Sequence, residues 1–136
     1  MKKVTLYLIF LIITSVNHIV WANYRVRGET LSLSMVEKKF GESPFDIKKF
    51  AEGGEQVRAQ MASALLKNKK QFIGKSNYQI RDTVGNFTGH YISGLYPTYM
   101  IYSAKDYSVS SWQIVFLIDA EGLVQDIVVH KNCCYN

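Results

Sequence analysis

The stretch SWQIVFLI, residues 111–118, constrains the fold more than any other part of the chain. On a strand, Trp112, Ile114, Phe116 and Ile118 share one face while Gln113, Val115 and Leu117 share the other, so both faces are largely apolar. Such a strand belongs in the middle of a sheet, covered on at least one side. DAEG at 119–122 then makes a tight turn, with Gly122 able to take positive φ, and leads into a last strand, LVQDIVVH. Upstream, HYISG and PTYMIYSA carry the Tyr and Ile content that suits a pleated, half-buried surface. The chain after Gly89 therefore reads as an antiparallel meander of three to four strands.

A meander with an apolar face needs a cover, and the residues before Gly89 supply helices. From Glu55 to about Asn68, Val57, Met61, Ala64 and Leu65 form one stripe of a 3.6-residue period, with Gln56, Arg58, Gln60, Ser63 and Lys67 on the remainder. GKSNYQIRDTVG predicts a second helix of about two turns, in which Ser76 and Gln79 make a capping box, Ile80 and Val84 share a face and Gly85 terminates. Ser34 and Glu37 make a further capping box in SMVEKKFG, with Gly41 closing a short helix, and SPFDIKKFAEGG runs from Pro44 to the Gly53–Gly54 pair. Residues 23–33 read as extended. This order gives an α+β fold, two or more N-terminal helices on one face of the meander.

The N-terminus bears on compartment. Lys2 and Lys3 precede VTLYLIFLIITSV, an apolar or neutral run of about 13 residues, which suits a signal-peptide core and falls short of the roughly 17 to 25 of a spanning helix. Val20 and Ala22 stand three and one residues before a cleavage point, so residues 1–22 read as a signal peptide and the remainder as periplasmic. The alternative is an uncleaved helix reaching Trp21 and anchoring the chain in the inner membrane. Position 23 is Asn, not the cysteine that lipid attachment at this point requires. Lys2 and Lys3 contribute two of the formal charge of +5, and the remaining +3 argues for solubility and against nucleic acid as a partner. The densest basic run, KNKKQFIGK at 67–75, follows a helix and reads as its solvated C-terminal end, the alternative being a patch for anionic headgroups.

Enzyme signatures are thin. Beyond the leader only His90 and His130 remain, and no G-x-S-x-G, H-E-x-x-H or P-loop pattern occurs, so no catalytic residue, resident metal or cofactor is assigned. His130 lies three residues before Cys133, and residues three apart on a strand point to opposite faces, which disfavours a Cys–His pair. Cys133 and Cys134 are the only cysteines, adjacent, and on an exported chain they meet an oxidising space. Neighbouring Cα atoms are about 3.8 Å apart, below the usual disulfide span of about 4.4 to 6.8 Å, so a bridge between them needs a strained ring. That ring, a cross-link to another molecule and a buried or reduced pair all stay open.

Aromatic residues concentrate in the strand half. Tyr91, Tyr96, Tyr99, Tyr102 and Trp112, with Tyr107 beside them, form the candidate partner-binding set, since Tyr and Trp combine apolar area with a polar handle. Alternation places Tyr99 with Ile101 and Tyr102 with Thr98 and Met100, so one of the two tyrosines faces outward.

Taken in order, these residues form a recognisable series: Arg58 and Met61 three apart, the apolar pair Leu65–Leu66, then IGKS and a short helix closing on VG, then a Tyr-rich strand and a W-x-(I/V)-x-F strand with a D-x-x-G hairpin. Over roughly residues 45 to 130 the chain resembles the SmpA/OmlA, or BamE-like, domain family, although VGNF stands where that family carries LG-x-P. The resemblance implies an ααβββ domain over residues 45–136 preceded by a lead-in at 23–44 with at most a short helix. It also implies a non-enzymatic accessory, scaffold or inhibitor-type role in the envelope of a Gram-negative bacterium. An envelope protein is then the expected partner, with peripheral contact to the outer membrane. Two alternatives remain, an inhibitor or immunity-type protein of a secreted hydrolase, and a thiol or metal protein acting through Cys133 and Cys134.

Overall fold

The computed structural model describes residues 28–105 and 111–132; the leader, Tyr107, Cys133 and Cys134, and the expectations that fall on them, lie outside these. In chain order the elements are β1 (Thr30–Leu31), α1 (Leu33–Phe40), α2 (Ile47–Glu52), α3 (Glu55–Lys67), a 3-10 turn at Lys69–Gln71, α4 (Asn77–Val84), β2 (Thr98–Tyr102), β3 (Ser111–Ile118) and β4 (Val124–Asn132). The fold is α+β, with the helices lying in sequence between β1 and the other three strands of an antiparallel sheet of order β1-β4-β3-β2. β2, β3 and β4 are the predicted meander, and β3 is central within it. The fourth strand is not HYISG. It is β1, from the residues read as a lead-in, pairing Thr30 with His130 and Leu31 with Val129.

Local chemistry accounts for the helices. α4 forms as its sequence dictates: the Ser76 side chain accepts from the Gln79 backbone, the Gln79 side chain accepts from the Ser76 N–H, and Gly85 at φ 96° closes the helix. α1 starts earlier than expected, because Ser32, not Ser34, takes the N-cap position and accepts from the Met35 N–H. Asp46 caps α2 through the Lys49 N–H. α3 spans the predicted residues but buries a wider sector than the predicted stripe. Met61 and Leu65 are buried as expected, and so are Arg58, Ala59, Ala62 and Ser63, because the helix packs against both α1 and β2. Its polar insertions are satisfied: Ser63 Oγ donates to Gly41 O at 3.0 Å and Arg58 Nε to Met100 O at 3.0 Å.

Helices and sheet meet through rings. Phe50 of α2 packs on Tyr99 with centroids 5.3 Å apart, Phe72 on Phe116 at 5.6 Å and Phe40 on Trp112 at 6.2 Å, all edge-on. The opposite face of the sheet is buried differently. The segment 86–97, which includes HYISG, crosses that face as a loop, not as a strand, because a turn closed by Tyr96 N–H to Ser93 O breaks it. Gly89 lies so close that a Cβ there would meet Gln113 Oε1 and Thr98 Cγ2, each at 2.9 Å. Tyr91 stacks edge-on against His130 at 4.9 Å and Tyr96 at 5.3 Å. Gln113 and Val115 of β3 are thereby buried on the loop side while Ile114 and Phe116 are buried on the helix side.

β2 is an edge strand, yet its outward groups are taken. Thr98 O accepts from the Thr88 and Gly89 N–H groups, Met100 N–H donates to Thr88 Oγ1, and Met100 O receives Arg58. Sealing an edge in this way blocks strand addition by another chain. At the far end of the sheet, Gly74 N–H donates to Val124 O and Val124 N–H to Lys75 O, which stitches the approach to α4 onto the start of β4. Among the described residues no helix is long and apolar enough to cross a membrane.

Candidate functional site

The five aromatic residues singled out in the sequence do not form one patch. Tyr99 is a core residue, 1% exposed, and is corrected from the surface set: its ring sits among Phe50, Phe87 and Phe116, and its hydroxyl donates to Gly85 O at 2.9 Å. Burial pushes its phenol well above the ordinary tyrosine range, against the opposing pull of the nearby Arg58 charge. Tyr91 and Tyr96 are half-buried in the loop over the sheet. Tyr102 and Trp112 come together.

A β-bulge makes that meeting. β2 and β3 pair Met100 with Gln113 but Tyr102 with Trp112, so Ile101 is an extra residue and the alternation slips by one. Tyr102 therefore leaves the face of Thr98 and Met100, where strict alternation placed it, and stands opposite Trp112 beside α1. Two interactions brace the region. Glu55 accepts from the Ser103 N–H at 2.8 Å and the Ser103 hydroxyl at 2.6 Å, and the Arg58 guanidinium bridges Met100 O and Gly53 O. Burial lowers the Arg58 pKa from its usual value, with Glu55 and Tyr99 pulling the other way; the group stays a cation.

The result is a groove of about 560 Å³ lined by Glu29, Leu31, Met35, Lys38, Lys39, Tyr102, Trp112 and Lys131. Trp112, 6% exposed, is its floor, and Tyr102, 51% exposed, is part of its rim. The Lys39 ammonium lies 5.4 Å from the Trp112 ring and that of Lys131 lies 5.8 Å from it, both within cation–π range. Lys131 also faces Glu29 at 3.9 Å, whereas Lys38 and Lys39 make no ion pair among the described residues. A second hollow of about 430 Å³, lined by Lys39, Phe40, Glu55, Gln56, Ala59, Gln60, Ile101 and Tyr102, continues the first through Lys39 and Tyr102.

The lysines were not selected from the sequence. The 67–75 run drew attention instead, and part of that run is occupied: Lys67 reaches Glu37 at 2.6 Å and Glu42 at 3.6 Å, and Lys69 reaches Asp126. The hydrogen bond that Lys67 donates to the Glu37 carboxylate is the main cause of its raised pKa. The available signal was the spacing of Met35, Lys38 and Lys39, three and four residues apart on one helix face.

His130 is buried between Tyr91 and the Gly28 backbone, and His90 is exposed on the loop. No group of three His, Cys, Asp or Glu that could hold a metal ion occurs among the described residues. No protein-family model, curated protein or solved structure matches this chain.

Proposed function

We propose that this chain is an exported, non-enzymatic binding module of the bacterial cell envelope, BamE-like in kind, and that the groove over Trp112 receives part of another envelope protein. One observation carries the reading. A largely exposed tyrosine and a tryptophan floor lie within a cluster of lysines, two of which lack carboxylate partners among the described residues. Tryptophan and tyrosine are enriched among the residues that carry most of the energy of protein interfaces, lysines around them select a partner by charge, and a specific complex needs only about 800 Å² a side. The helix-then-meander order and the signal-like leader support the family and compartment parts of the reading.

Photocrosslinking in cells tests it. With p-benzoylphenylalanine at position 102, irradiation is expected to trap the chain on one envelope protein, and the same probe at the exposed Tyr78 of α4 is not. Adducts only with itself, or none above the Tyr78 control, would overturn the reading.

A further inference from the structure

We infer that the groove takes a short acidic stretch of the partner in which an apolar side chain adjoins the carboxylate, an inference that rests on the binding role proposed above. The first hollow selects charge. Lys38, Lys39 and Lys131 face it against Glu29 alone, and Glu29 already lies 3.9 Å from Lys131. A carboxylate entering beside Lys38 and Lys39 meets two ammonium groups that no other described side chain neutralises, and Lys39 is already positioned over the indole.

The second hollow selects apolar surface and extended backbone. Phe40, Ala59 and Ile101 line it, and its one acid, Glu55, is committed to the Ser103 N–H and hydroxyl at 2.8 and 2.6 Å. Gln56 and Gln60 on its rim are exposed, and each amide carries the donor and acceptor that an extended peptide backbone pairs with. Lys39 and Tyr102 belong to both hollows, so the two stations adjoin and one short peptide can reach both. A nucleic-acid strand needs a longer row of cations than these three lysines provide.

The test selects from a phage-displayed random dodecapeptide library on the full chain. Enrichment of peptides with Asp or Glu next to a large apolar residue is the expected result. A fluorescein-labelled selected peptide should then bind Lys38→Gln/Lys39→Gln about tenfold more weakly, with the circular-dichroism spectrum and a cooperative melt retained and with weaker binding at higher salt. Enrichment of neutral or basic sequences, or equal affinity for the double variant, would overturn the inference. So would failure of any peptide to enrich while phosphatidylglycerol vesicles bind the chain. If position 102 still crosslinks to an envelope protein, only the acidic-peptide inference has failed; if it does not, the binding role has failed with it.

Discussion

The two faces of the sheet are buried by opposite means. On the helix face, large rings interlock: Phe50, Phe72 and Tyr99 are all at most 1% exposed, and their energy resides in filled volume. On the other face a loop of about a dozen residues lies nearly flush with β3, and its contact depends on Gly89 having no side chain at all. The same strand is thus protected by bulk on one side and by thinness on the other. The helix face should suffer from losing atoms, and the loop face from gaining them.

The largest effect separates the faces at the core. Phe50→Ala empties a fully buried site against Phe45 and Tyr99, and urea unfolding should show a loss of about 3–5 kcal/mol. A loss below 1 kcal/mol would mean that α2 is not a structural cover. Next comes the loop face: in Gly89→Ala the new methyl meets Gln113 and Thr98 at 2.9 Å, and the expected cost is about 1–3 kcal/mol, with faster amide exchange at residues 90–96. A neutral Gly89→Ala would erase the contrast between the faces.

Smaller effects sharpen it. Tyr99→Phe removes the hydrogen bond to Gly85 O and should cost about 1 kcal/mol. Tyr99 also carries a pH signature. Its folded pKa is raised, so the native state keeps a proton that the unfolded chain gives up; its contribution is complete below the ordinary tyrosine pKa of about 10 and declines as pH climbs further. Alkaline unfolding monitored by circular dichroism should therefore begin at higher pH in Tyr99→Phe than in the parent. Tyr102→Ala, at the bulge where neither cover reaches fully, should change stability by no more than about 0.5 kcal/mol, while reducing capture of the partner.

How far the fold was legible depends on the range of the signal. The capping box of α4, the extent of α3, the span of β3 and the turn at 119–122 were all readable, since each is specified by residues within a few positions of one another. HYISG was misread because its Tyr and Ile content suits a strand, whereas Ser93 and Gly94 turn it and the neighbouring Gly89 draws the segment over the sheet. β1 was missed as a strand because two residues carry no periodicity; only β4 beside them makes them one. Arg58 and Ser63 were placed on the polar side of α3 because a single-stripe pattern assumes one packed neighbour, and α3 has two.

By itself, then, the sequence determined the kinds of element, their order and the need for β3 to be covered, because propensity, capping and turn chemistry act over a few residues. Tertiary structure alone decided which of Tyr99 and Tyr102 is core, and that Tyr102 stands over Trp112 on the helix side although strict alternation puts it on the face opposite Tyr99. A one-residue bulge reverses facing without leaving a mark in composition. It also decided that Lys39 from α1, Trp112 from β3 and Lys131 from β4 share one groove, since residues so far apart in the chain become neighbours only when the helices and sheet have packed.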